Sequence, residues 1–311
     1  MIHKTNPIEG MMILNKFLDP KNDYAFKCIF GTEKNKDILI HFINDILGFE
    51  GDAQIKEVTF LKTAQDPEIA YKKQSLIDVL CKDKAERQYI IEMQVARTRG
   101  FEKRAQYYAA KAYSRQLESG DDYHRLKEVI FIAITDFVMF EDKPNFYSTH
   151  CILDKETYDH DLKDFSFTFL ELPKFKKNIN ELDNLIEKWA YFFKHAEETG
   201  EKEVPQIVGD DSVIQRAYEA LNRFSWTDIE LNTYEQEEKR ERDAQSIMNQ
   251  KLIDAQAVGE AKGKAETISC ILQAIELLKL DHSLEDVIAK TGVTREVLVQ
   301  LRSSHRAQDL A

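Results

Sequence analysis

The chain has 311 residues, enough for one large domain or a domain with an appendage. Its net charge of −12 excludes a protein coated in positive charge for non-specific nucleic-acid binding, while leaving room for one local basic surface. No apolar run reaches membrane-spanning length, no CxxC pairs the cysteines Cys28, Cys81, Cys151 and Cys270, and the first 17 residues hold no signal-type apolar core, so a reduced cytoplasmic protein without membrane partners is expected.

In chain order, Asp19-Pro20 predicts a turn, and Asn22 or Asp23 is placed to cap a helix starting near Tyr24 with Phe26, Ile29 and Phe30 on its apolar face. Ile38, Leu39, Phe42, Ile43, Ile46 and Leu47 repeat at helical spacing, and Gly48 closes that helix. The alternation of residues 55–61, IKEVTFL, predicts a strand. After the Asp66-Pro67 turn and the Lys72-Lys73 pair comes the stretch that organises the rest: residues 75–95, SLIDVLCKDKAERQYIIEMQV. It reads as two strands around a polar turn at residues 82–88, each strand carrying one acid, Asp78 and Glu92, inside an apolar run. A carboxylate buried in a strand costs several kcal/mol unless it is paired. If the strands are neighbours, both acids sit side by side, and a divalent cation such as Mg²⁺, which prefers oxygen ligands, resolves their repulsion. Asp66 lies in a loop, so Asp78 is the acid that the pattern favours.

Arg97, Arg99, Lys103, Arg104, Lys111 and Arg115 then follow in a run where Glu102 is the one acid, interleaved with Tyr107, Tyr108 and Tyr113. Cations and aromatics together suit a nucleic-acid backbone, while an amphipathic helix packing its tyrosines on a sheet accounts for the same pattern, and both readings fit on different faces. VIFIAIT, residues 129–135, suits a central strand covered on both faces, and strands are expected at 151–153 and 165–170. A helix over 182–196 carries Leu185, Trp189, Phe192 and Phe193 as core, with His195 at its C-terminal end. Polar residues 198–211 suggest a boundary. The expected units are 1–204, a helical extension at 205–266 with a long charged helix, and 267–311. The last of these contains a helix, a Thr291-Gly292 turn and a second helix: either a helix-turn-helix or a plain hairpin used for oligomerisation.

Asp78, a hairpin, and then Glu92-x-Gln94 resemble the PD-(D/E)XK nuclease core in the variant of the recombination-promoting nuclease, or transposase, family. FLDPKNDYAFK at 17–27, GFEKRAQYYAAKAY at 100–113 and VIFIAIT resemble that family too. The resemblance implies an α/β (α+β) restriction-endonuclease-like mixed sheet flanked by helices. It implies a Mg²⁺-dependent endodeoxyribonuclease linked to recombination or mobile elements. Asp78 and Glu92 would be the metal ligands, with Gln94 and Asp23 completing the catalytic set. Lys27, Lys73, Arg97, Arg99, Lys103, Arg104 and Lys111 would meet DNA. Gln94 stands where the wider group has a lysine that steadies the charged transition state, leaving Lys27, Lys73 or Lys111 to supply that charge. Three alternatives stay open: a nuclease fold with weakened or lost catalysis that binds or regulates DNA, an oligomeric assembly protein, and an RNA target.

Overall fold

The computed structural model describes residues 15–62, 64–65, 75–280 and 282–300. Lys73 and the Asp66-Pro67 turn lie outside them. In chain order the elements are α1 (Asp23–Phe30), α2 (Lys36–Leu47), β1 (Val58–Phe60), the two-residue strands β2 (Ala64–Gln65) and β3 (Ser75–Leu76), β4 (Val79–Asp83), β5 (Gln88–Gln94), α3 (Phe101–Ser114), β6 (Val129–Thr135), β7 (Tyr147–Cys151), β8 (Phe165–Glu171), α4 (Leu185–His195), α5 (Val204–Val208), α6 (Ser212–Ala220), α7 (Asp228–Lys279) and α8 (Leu284–Thr291). Among the described residues, six strands form one mixed sheet in the order β1-β4-β5-β6-β8-β7. The β4–β5 hairpin is antiparallel, whereas β5, β6 and β8 run parallel. This is the helix-flanked α/β sheet that the sequence predicts.

The layers follow from alternation along the strands. Every residue of β6 is buried. Ile130, Ile132 and Ile134 face a large core shared with α1, α2, α4 and α6, and Val129, Phe131 and Ala133 face a smaller core under α3. Each isoleucine or phenylalanine so buried contributes about 1.5–3 kcal/mol. On β5 the same alternation puts Tyr89, Ile91 and Met93 in the large core and Ile90 under α3. Glu92 and Gln94, two and four residues after Ile90, therefore belong to the α3 face.

Local chemistry sets the element ends. Asn22, rather than Asp23, caps α1, its side chain accepting from the Tyr24 and Ala25 amides. Gly48 closes α2 in the left-handed conformation that glycine adopts without a Cβ penalty. The strand expected from Ile55 begins at Val58 instead, because the buried Asn44 side chain takes both backbone groups of Ile55, at 2.8 and 2.9 Å. The hairpin turn is tighter than the polar run 82–88 suggests. Asp83 gathers the Arg87 amide, the Arg87 Nε and the Tyr89 hydroxyl at 3.0, 2.8 and 3.0 Å, so pairing extends to Lys82 and Gln88. The strand expected at 151–153 ends at Cys151, and Ile152 and Leu153 are exposed. Asn184 caps α4 through the Glu187 amide, so that helix starts at Leu185 and not at 182.

The described residues fall into two compact units, divided between Glu238 and Lys239. Val204, Ile207, Val208, Ile214, Tyr218 and Leu221 belong to the large core of the first unit. In the second unit Ala274, Val287 and Leu298 pack together, joining α7, α8 and the helical residues 295–300. No helix among the described residues is long and apolar enough to cross a membrane.

Candidate active site

Asp78 precedes β4 by one residue. Extending the register Val79↔Ile91 by one step sets Asp78 opposite Glu92. Leu80, two residues on, lies in the core under α3, as Ile90 does, so both acids sit on the same face of the hairpin. Each carboxylate reaches the other strand's backbone. The Asp78 amide donates to Glu92 Oε1 at 3.3 Å, and the Met93 amide donates to Asp78 Oδ2 at 3.0 Å. Glu92 is only 4% exposed.

Their electrostatics are those of two acids competing for one dry site. Burial pushes Glu92 up to about 8; repulsion from Asp78 adds to this, and Arg104 pulls it back. Burial likewise raises Asp78 to about 6, against the attraction of Lys27 and the Met93 amide. Deprotonating both acids is thus unfavourable without a cation between them. That donor set fits a hard divalent ion: two carboxylates, nearly dry, on adjoining strands.

Two cations close on the pair, Lys27 from α1 and Arg104 from α3. Lys27, one turn after Asp23 on α1, bonds both Asp23 oxygens at 2.6 and 2.7 Å and lies 3.4 Å from Asp78 Oδ1. Burial disfavours its charge, but Asp23 and Asp78 outweigh that and raise its pKa. Asp23 is accordingly a first-turn acid linked to Asp78 through Lys27. Arg104 of α3 stacks over the Phe101 ring at 4.7 Å and donates to Gln94 Oε1. The Gln94 amide nitrogen in turn donates to the Ala96 carbonyl at 3.0 Å. Gln94 therefore has both ends engaged, and it fastens α3 to β5.

The basic run divides by face, as an amphipathic helix should. Phe101, Ala105, Tyr108, Ala109 and Ala112 pack on the sheet, while Lys103 and Tyr107 are exposed. Lys111 lies over the Tyr107 ring, 5.8 Å from its centroid. Arg97 and Arg99 are exposed in the loop before α3, and Arg97 pairs with Glu141 at 3.3 Å. That loop and Phe137, Met139 and Phe140 line a cleft of about 550 Å³. Its far wall is held by the buried Glu171, which accepts from the Met139 and Phe140 amides at 2.6 and 3.1 Å and pairs with Lys174 at 2.8 Å.

The sequence reading did not foresee the link from Arg104 to Gln94 and Glu92. The signal was present, a cation one turn into a helix that follows Glu-x-Gln, but the chain reversal at Gly100 that brings it back was not. Nor did it find His41, Asp45 and Asp211, which gather metal-type ligand atoms within 4.8 Å. His41 Nε2 lies 2.9 Å from Asp211 and 3.3 Å from Asp45. Asp45 also accepts from Trp189 Nε1 at 2.7 Å, and Asp211 caps α6. With those roles already filled, this cluster clamps α2, α4 and α6 around the large core.

The family model for PD-(D/E)XK nuclease family transposases matches residues 20–251. No curated protein and no solved structure matches the chain.

Proposed function

This chain belongs to the PD-(D/E)XK nuclease family transposases, and from that membership we propose that it is a divalent-metal-dependent DNA endonuclease, with Mg²⁺ as the ion, acting in recombination or on mobile elements. The observation that carries the reading is the same-face pairing of Asp78 with Glu92 on adjoining strands. Asp78 and Glu92 would hold the ion. When bound, a divalent ion polarises the scissile phosphate and lowers the pKa of a coordinated water.

The remaining roles belong to the chain's own residues. Lys27, beside Asp78, is the cation best placed to meet the extra negative charge that builds on the phosphate. Arg104 adds a second positive centre from α3, positioned by Gln94 and the Phe101 ring. Between them they supply the charge that glutamine at position 94 does not carry. Lys111, two turns beyond Arg104, is better suited to the strand backbone, together with Lys103, Arg97 and Arg99. The test is nicking of a supercoiled plasmid. Wild type should convert it to open circles in Mg²⁺ and not in EDTA, and Asp78→Ala should be inactive while folded. A folded wild type inert with Mg²⁺ and Mn²⁺ alike would sink the enzyme reading.

A second property is proposed for the C-terminal unit, which is self-association. Met248, Leu252, Val258, Ile268 and Leu272 of α7 are each more than half exposed, and Met248 with Leu252 and Ile268 with Leu272 lie about one turn apart, apolar surface of the kind that a second copy of the chain covers. Light scattering of the full chain should give a dimer or larger, and Leu252→Lys with Ile268→Lys a monomer. A monomeric wild type at high concentration would dismiss it.

A further inference from the structure

At the other end of α3 from the acid pair lies a second cleft, of about 670 Å³. Leu61, Leu80 and Ala112 form its floor, and Lys62, Lys82, Arg115, His124, Arg125 and Lys127 line it. Glu86 is the one acid in its lining, and it pairs with Lys82 at 2.5 Å. Asp121 and Asp122 touch it from outside, through Arg125 at 2.7 Å and His124 at 2.8 Å. Cations still outnumber acids here, in a chain whose net charge is −12. A local surplus of positive charge against that background attracts anions to the cleft.

We infer that this cleft is a second binding site for the phosphate backbone of duplex DNA, separate from the site of cleavage. The choice of partner rests on the nuclease reading; the existence of an anion site rests on the cleft itself. Three observations favour DNA over a small anion. The cations line an open cleft beside an apolar floor of Leu61, Leu80 and Ala112. Lys62, Arg115, Arg125 and Lys127 are exposed side chains on three separate segments, which suits successive phosphates. The cleft also shares α3 with the acid pair. From Arg104, which lowers Glu92, to Ala112 and Arg115 in the cleft is eight to eleven residues, about 12 to 16 Å at 1.5 Å per residue. One duplex lying along α3 can therefore meet both, since each of its strands presents a phosphate about every 3.4 Å of axis.

The test uses the full chain in EDTA, where nothing is cut, and a labelled duplex of about 30 base pairs, long enough to span both sites. Fluorescence anisotropy is followed between about 50 and about 200 mM salt. Lys62→Ala combined with Lys127→Ala should weaken binding at least about tenfold at the low-salt end and lessen the slope of log K against log salt by about two, roughly one for each phosphate left without its lysine. Both lysines are exposed, so circular dichroism and the melting temperature should be unchanged. Unaltered affinity and slope in a folded double variant overturn the inference, as does a wild type that shows no salt-dependent binding. The outcome is distinguishable from that of the nuclease reading, because a chain that binds with the expected slope yet never nicks keeps the cleft and loses the enzyme. One that nicks with an unaltered slope does the reverse.

Discussion

Glu92→Gln should abolish metal-dependent cleavage and at the same time make the metal-free protein more stable above pH 8. The two effects share one cause. Glu92 is buried beside Asp78, and its carboxyl is held up to about 8. Glutamine keeps the shape and the acceptor for the Asp78 amide but carries no charge, so the repulsion with Asp78 disappears. It also removes one of two anionic ligands, and cleavage should fall by about a thousandfold or more, near 4 kcal/mol of barrier. A plasmid-nicking rate together with urea denaturation at pH 8.5 checks both. Loss of activity with loss of stability would mean that Glu92 is structural; retained activity would mean that the ion is held elsewhere.

The second large effect is on the wild-type protein without metal. Glu92 binds its proton more tightly when folded, at about 8, than the ordinary 4.5 of an unfolded chain. Between those values the native state holds more protons than the unfolded one, so stability declines as pH rises. The contribution is complete below about pH 4.5 and gone above about 8. A loss of up to about 5 kcal/mol over that window is expected, the protons leaving the two coupled acids as a pair. Mg²⁺ should reverse it by taking the place of the shared proton. Saturating metal adds about 2.7 kcal/mol at a hundredfold excess over Kd. Near neutral pH each ion bound should release up to about one proton, seen as binding heats that differ between buffers of different ionisation enthalpy. Equal heats in both buffers, with no gain in melting temperature at pH 8.5, would show that the acid pair is not the cation site.

How much of this was readable beforehand depends on the range of the interaction. The hairpin was legible because Asp78 and Glu92 each interrupt an apolar run, and a buried acid is costly enough to signal a partner. α2 with its Gly48 stop and the fully buried β6 were legible for the same reason: periodicity and a glycine cap are local. The start of β1 was not, because Asn44 takes the backbone groups of Ile55 from eleven residues away. The clamp of His41 on Asp211 spans 170 positions and leaves no trace in local pattern. The basic run was visible as a run, but its division into an inward Arg104 and an outward Lys103 depends on how α3 docks.

That docking has a consequence of its own. In this chain the guanidinium that lowers Glu92 comes from a neighbouring helix, and Gln94 serves as the latch between that helix and β5. The balance of charge at the acid pair is therefore adjustable: a slide of α3 by even part of a turn would withdraw the guanidinium and leave the glutamate more strongly protonated. The seating of that helix thereby sets how readily the two acids give up their proton.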